Sequence, residues 1–454
     1  MLSAAVWRKT ISMTRVHCEA PTAVASIRPT ILVATTSRWY PTARLAMALA
    51  SAGCQVDAVC PTLHPFRKTR SVRESYVYNG LAPLSSLARA IACSRPDCIV
   101  SGDDLATQHL HRLHAQEQRN GRADSAISAL IERSLGNPQS FPVVNARAAF
   151  MGVARDEGFR VPLTQVIRDT DELRTWVARV GLPTVLKANG TSGGDGVRIA
   201  HTLTEAERFF KELQGPPRLA RAAKRALVDQ DKTLVWPSIL RLRPVVNAQA
   251  FVAGREATST MVCWKGAVLA SLHFEVVNKA SSKGHATVVR LIENAEMSAA
   301  VEGMARRLGL SGLYGFDFML EAETGRAYLL EINPRSTQVG HLSLGPGRDL
   351  SAALYAALSG QAVQAAPKVT EKDTIALFPQ EWIRDPESPF LRSAYHDIPW
   401  EEPDLVRDCV SNRGKQSSWY SRADRRQAAS AARSAQPMTA PAKSHTVGLD
   451  WGGK

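Results

Sequence analysis

The sequence predicts an α/β protein with a doubly wound N-terminal domain, a two-lobed α+β body and a small C-terminal cap. Three observations carry that expectation. Apolar runs of strand length alternate with helical patterns at βαβ spacing up to about residue 140. A glycine-rich stretch then joins two short apolar runs, 184–188 and 197–200, as a hairpin would. Two further apolar runs, 313–320 and 327–332, carry acids on an otherwise apolar strand pattern. The predicted division is a disordered leader over 1–29, the α/β domain over 30–143, the body over 144–360, a cap over 361–410 and a disordered basic tail over 411–454. Within the body, a smaller lobe occupies about 161–248.

The elements follow in order. Residues 30–35 (TILVAT) read as a buried strand, 41–52 as a helix closed by Gly53, and 55–60 as a second strand stopped by Pro61. A helix near 84–93, a strand at 97–101 and a helix capped by Gly102-Asp103-Asp104 repeat the unit. No GxGxxG follows the first strand, so a nicotinamide-binding reading lacks support. In the body, a helix over 146–157 precedes a strand at 163–167. Asp169 to Glu172 then cap a helix running to Val180. Strands near 245–252, 260–264 and 267–274 and a helix over 297–308 lead to the acid-bearing pair.

Composition narrows the function. The chain has 454 residues with 56 Lys+Arg against 42 Asp+Glu, a formal charge of +14. Much of that excess sits at the ends: the first 29 residues hold four basic side chains to one acid, and residues 411–454 hold eight to two. The leader has the acid-poor look of a presequence, or of an extension upstream of a start at Met13, and lacks a secretory apolar core. Neither a basic motif interleaved with aromatics nor a helix-turn-helix supports nucleic acid as a specific partner. The charge-free stretch 350–367 is too rich in Ala, Ser, Gly and Gln to enter a membrane. Seven cysteines without a CxxC pair read as reduced thiols in a cytoplasmic protein. His273, His285 and His341 lack metal-ligand spacing and read as packing residues.

Two motifs carry chemistry. In LPTVLKANGTSGGDGV (182–197), Lys187 ends an apolar strand, where an uncompensated ammonium is costly, just before Gly190, Gly193, Gly194 and Gly196. Glycine-rich backbone can bring N–H groups close to phosphate oxygens, although a flexible hairpin with an edge lysine reads equally well. No Lys-Ser/Thr follows the last glycine, so it is not a Walker A loop. In GFDF (315–318) and LLEINPR (329–335), Asp317, Glu331 and Asn333 come to one face if the two strands pair through the 321–326 turn. Two carboxylates and an amide oxygen are hard donors suited to Mg²⁺. Arg335 adds a fixed fork for a carboxylate or a phosphorylated intermediate.

Together these motifs resemble the ATP-grasp superfamily, the fold of biotin carboxylase, carbamoyl-phosphate synthetase and D-alanine ligase. The resemblance runs over about 30–360 and is most specific at 183–197 and 312–335, with the first domain matching the domain that commonly precedes an ATP-grasp fold. It implies that Lys187 binds the α- and β-phosphates while the loop from Gly190 to Gly196 closes over the triphosphate. It also implies that Asp317, Glu331 and Asn333 hold magnesium, as two Mg²⁺ ions or with Mn²⁺ in their place, and that Arg335 steadies the reacting acyl group. The hinge strand resembles Gln249-Ala250-Phe251-Val252, followed by Gly254 and Glu256. Gln249 and the Ala250 carbonyl would take the adenine amine, the Val252 N–H a ring nitrogen, and Met319 would pack under the ring.

Three positions depart from the family's pattern. Arg147 stands where a lysine is usual, Gln249 replaces a hinge acid, and Asp195 lies inside the phosphate loop. The implied activity is ATP-dependent ligation of a small-molecule carboxylate to an amine, or to a thiol, giving ADP and phosphate, by a homodimer. The alternative is a non-catalytic ATP-binding regulator of the same fold. The basic insert 216–243 reads as a solvated face rather than a substrate-binding element.

Overall fold

The computed structural model describes residues 28–189, 196–215, 235–281 and 284–411. The predicted leader up to residue 27, the tail from 412, Gly190, Gly193, Gly194 and Asp195, and most of the basic insert lie outside the described residues. Three sheets organise what is described.

The first sheet is four-stranded and parallel, in the order β3-β2-β1-β4, from β1 (Thr30–Ala34), β2 (Gln55–Cys60), β3 (Glu74–Val77) and β4 (Cys98–Ser101). Helices α1 (Tyr40–Ser51), α2 (Pro83–Ser94), α3 (Asp104–Arg119) and α4 (Ala126–Leu135) belong to the same region. Both faces of β1 are buried, which its unbroken apolar run requires. The chain leaves β1 towards β2 on one side and returns as β4 on the other. The carboxyl ends of β1 and β4 therefore form a topological switch point, the place where open α/β sheets receive ligands.

Helices α5 (Phe141–Asn145) and α6 (Arg147–Asp156) lead into a four-stranded antiparallel sheet, β5-β8-β6-β7. Its strands are β5 (Thr164–Ile167), β6 (Thr184–Ala188), β7 (Val197–Ala200) and β8 (Val246–Ala250). The expected hairpin is present, β6 pairing with β7 in register from Thr184 with Ala200 to Lys187 with Val197. Helices α7 (Thr170–Val180) and α8 (Leu203–Gln214) cover this sheet, Trp176, Leu173 and Phe210 filling the core between them.

The third sheet has seven strands. In sheet order these are β13 (Ala327–Asn333), β12 (Gly312–Glu321), β9 (Gly254–Trp264), β10 (Ala267–Lys279), β11 (Ala286–Leu291), β14 (Thr374–Ala376) and β15 (Tyr395–His396). Its β9 and β10 are longer than the sequence pattern implies, and β11 had no clear signal in it. One face packs on α6 and the helix Ala295–Leu308 through Phe150, Met304, Phe316 and Phe318. The C-terminal segment lengthens this sheet by β14 and β15. Among the described residues, no helix is long and apolar enough to cross a membrane, and six cysteines are free.

Candidate active site

The acids meet because of one irregularity. In the β12–β13 hairpin Leu320 pairs with Ala327, Met319 with Tyr328 and Phe318 with Leu329, but Asp317 pairs with Glu331. Leu330 is thus bulged out of register. Without the bulge, Glu331 would share the core-facing side of Leu329. With it, Glu331 and Asn333 turn to the face of Asp317, a re-aiming that bulges commonly perform near functional sites. Alternation alone foretold the shared face of Glu331 and Asn333, whereas Asp317 joins them only through the bulge.

Around this pair the polar groups are closely connected. Asn333 Nδ2 donates to Asp317 Oδ2 at 3.0 Å, and Thr258 Oγ1, on β9, donates to Oδ1 at 3.0 Å. Arg147, the first residue of α6, places a guanidinium nitrogen 3.0 Å from Glu331 Oε2 and donates to the Ala188 carbonyl at 3.0 Å. Lys187 Nζ lies 3.7 Å from the same Glu331 oxygen and is buried. Two cations, Arg147 from α6 and Lys187 from the small sheet, therefore converge on one carboxylate of the large sheet. Gly315 packs closely here: a Cβ would come within 2.3 Å of Thr337 Cγ2, so that side chain would have to shift.

These contacts set the protonation of each group. Burial pushes the Asp317 carboxyl up to about 6, and the charge of Glu331 adds to the rise. Burial acts the same way on Glu331, but Arg147 and Lys187 outweigh it and hold that carboxyl below the usual range. Burial lowers the Lys187 ammonium, with Glu331 opposing and Arg147 reinforcing the fall. A like-charged pair of hard oxygen ligands, one of them reluctant to ionise, favours a divalent cation. Asp317 and Glu331 thus fit Mg²⁺ in donor chemistry, and the Asn333 oxygen, which here accepts from Arg335, would join them on turning from that arginine. Among the described residues no group of three or more His, Cys, Asp or Glu side chains gathers for a metal.

The N-terminal sheet closes one side. Arg335 Nε donates to Asp104 Oδ1 at 3.1 Å, and its NH2 donates to Asn333 Oδ1 at 3.2 Å. Its guanidinium lies over the Trp39 ring, 5.4 Å from the centroid. Thr107 Oγ1 donates to the Pro334 carbonyl at 2.5 Å and Ser336 N to the Ser101 carbonyl at 3.0 Å. Asp103 accepts from the hydroxyls and backbone of Thr36 and Ser37, which fixes the loop after β1. The switch point of the first sheet therefore faces the arginine. Trp39, Asp104 and Thr258 escaped sequence reasoning because their partners lie far away in sequence and no spacing signals them.

The hinge residues divide between two settings. Gln249 lies within β8, is buried, and donates through Nε2 to Thr164 Oγ1 at 3.0 Å. Ala250 ends that strand, and Phe251 and Val252 span the gap to β9 between the small and large sheets. Met319 projects from β12 on the side of Asp317, two residues away. Gly196 begins the return into β7.

Residues 150–339 match the ATP-grasp domain. The chain is 24% identical over 181 residues to acetyl-CoA carboxylase 2 of Oryza sativa subsp. japonica, covering 38% of this chain and 7% of that protein. It is 22% identical over 231 residues to the carbamoyl phosphate synthase large chain of Ralstonia nicotianae, covering 50% and 20%. The chain thus spans at most about a fifth of these curated relatives. Among solved structures, it is similar to the biotin carboxylase domain dimer of Hydrogenobacter thermophilus 2-oxoglutarate carboxylase, in complex with MgADP, ADP and bicarbonate. That likeness has a TM-score of 0.52 at 14% identity and covers 74% of this chain and 71% of the other. The stretch 150–339 is thus the part of this chain that is similar to the ATP-grasp domain.

Proposed function

We propose that this chain is an ATP- and Mg²⁺-dependent ligase. It phosphorylates a substrate carboxylate to an acyl phosphate and passes the acyl group to an amine. The observation that carries the reading is the meeting of Arg147 and Lys187 on Glu331, beside Asp317 and within reach of Arg335 through Asn333. In this reading Lys187 and Arg147 leave Glu331 for the nucleotide phosphates, and the N–H groups of the loop from Gly190 to Gly196 close over the triphosphate. Gln249 to Val252 and Met319 receive the adenine. Asp317, Glu331 and Asn333 would hold Mg²⁺, which supplies charge neutralisation at the transferring phosphoryl group when bound.

Phosphoryl transfer demands positioning and charge balance more than covalent chemistry from the protein. The substrate carboxylate attacks the γ-phosphorus, its O–P bond forming as the bond to the ADP oxygen breaks. Arg335, held by Asp104 and the Trp39 ring, then stabilises the oxyanion formed at the acyl carbon. We read the leader, α/β domain, body, cap and tail as bounded at 29, 143, 360 and 410, and the chain as a cytoplasmic homodimer. The Hydrogenobacter domain is itself described as a dimer. The test is an ADP-release screen crossing carboxylates with amines in the presence of Mg²⁺. ADP and phosphate formed in step with a new amide is the expected outcome, and AMP with pyrophosphate would overturn the scheme.

A further inference from the structure

Asn333 ties the acid pair to the arginine. Its Nδ2 donates to Asp317 Oδ2 at 3.0 Å, and its Oδ1 accepts from Arg335 NH2 at 3.2 Å. A guanidinium can only donate and an ionised carboxylate can only accept, so these neighbours fix which way the amide points. In this structure the amide oxygen is therefore committed to Arg335 and turned away from the carboxylates it would join around a metal.

Arg335 is anchored elsewhere as well. Nε donates to Asp104 Oδ1 at 3.1 Å, and NH1 donates to the Ser336 carbonyl at 3.3 Å. The guanidinium also lies over the Trp39 ring. Asp104 and Trp39 belong to the N-terminal domain, and Ser336 to the loop that carries the arginine. These anchors hold the guanidinium in place whatever Asn333 does. Rotation of one amide thus changes what NH2 can meet without moving the arginine.

The metal and the arginine compete for that amide. Its oxygen has two lone pairs, but serving both at once would bring a divalent cation within about 5 Å of the guanidinium. Like-charge repulsion disfavours the shared state. We propose that Asn333 is a positioning residue for Arg335 as well as a metal donor, and that it serves the two in turn; this rests on the ligase reading above. When Oδ1 turns to Mg²⁺, NH2 loses its partner while Nε and NH1 stay anchored. That nitrogen is then presented to the substrate carboxylate as a free, charge-assisted donor. By linkage, a carboxylate that takes NH2 releases the amide to the metal, so the two binding events favour each other. The acid is gripped once the phosphoryl donor is in place.

The test is a double-mutant cycle read by Mn²⁺ binding in the presence of ADP, with free manganese followed by electron paramagnetic resonance. Arg335→Met removes a positive charge and should tighten Mn²⁺ in any background. With Asn333 present it also frees the amide oxygen, whereas in Asn333→Ala there is none to free. The tightening should therefore be about 5-fold larger in the wild-type background than in Asn333→Ala. Equal tightening in the two backgrounds would overturn the proposal. A readout free of substitution is a pair of crystal structures, with ADP alone and with MgADP. The Asn333–Arg335 bond should be present in the first and broken in the second, with Arg335 Nε still on Asp104. A bond that survives with Mg²⁺ bound would overturn the proposal even where Asn333→Ala abolishes Mn²⁺ binding. Wild-type protein that binds neither Mn²⁺ nor MgADP would overturn the ligase reading itself, and this proposal with it.

Discussion

Two charged clusters in this molecule are built on opposite principles. The cluster around Glu331 is assembled mostly from neighbouring strands, by alternation and one bulge, and is knotted through a single carboxylate. The cluster around Asp397 ties Arg44 on α1 and His341 in the loop after β13 to the C-terminal segment, across 353 and 56 positions. In the proposed reading the first exchanges its partners, Arg147 and Lys187 turning from Glu331 to phosphate. The second has a buried acid gripped from both sides. A cluster meant to release its cations and a cluster meant to keep them are expected to differ in what their disruption costs.

The largest expected effect on stability is at Asp397. Asp397→Ala leaves Arg44 and His341 buried without their acid, and should cost about 3–5 kcal/mol in urea unfolding. Removing Glu331 with Glu331→Gln should cost less, because Arg147 also holds the Ala188 carbonyl. Equal losses in the two variants would erase the contrast drawn between the clusters.

Acidification separates the two regions by sign. His341 and Arg44 outweigh burial at Asp397 and hold its carboxyl below the ordinary range. Its stabilisation is therefore complete above the unfolded carboxylate value of about 4 and is lost as pH falls through the lower folded value. Asp317 behaves in reverse. Its folded value of about 6 lies above the unfolded one, so the folded state takes up a proton first as pH falls. Relative to Asp317→Asn, the metal-free wild type should gain stability between about pH 7 and 5, read by urea unfolding at each pH. Mg²⁺ affinity should weaken over the same interval, as the ion competes with that proton.

The smallest expected effect is at Thr258, whose hydroxyl donates to Asp317. Thr258→Val removes a bond that favours the ionised acid and should raise the Asp317 carboxyl further. Mg²⁺ binding at neutral pH should fall a few-fold, measurable by titration calorimetry. An unchanged affinity would place Thr258 outside the site's electrostatics.

How much of this was legible follows from the same contrast. Strand period two put Glu331 and Asn333 on one face, and the burial cost of a strand-end ammonium singled out Lys187. The hairpin at 184–200 and the βαβ order of the first sheet follow from local patterns that the fold respects. The Leu330 bulge was not legible, since nothing in the LLEIN run marks which residue steps out of register. Nor could spacing reveal that Asp104 would meet Arg335 or that Asp397 would meet His341 and Arg44. Those contacts depend on how separate segments pack, which local pattern does not encode. His341 was accordingly read as a packing histidine, and only the tertiary structure brings an acid to one of its nitrogens while leaving the other unpaired.

In the proposed reaction a carboxylate becomes an acyl phosphate at the Asp317–Glu331 face. Its most direct test labels the substrate carboxylate with oxygen-18 and follows the label during turnover with ATP and Mg²⁺. One labelled oxygen should pass into inorganic phosphate, in equal amount to the ADP formed. Label appearing in AMP, or phosphate released without label while amide accumulates, would contradict it.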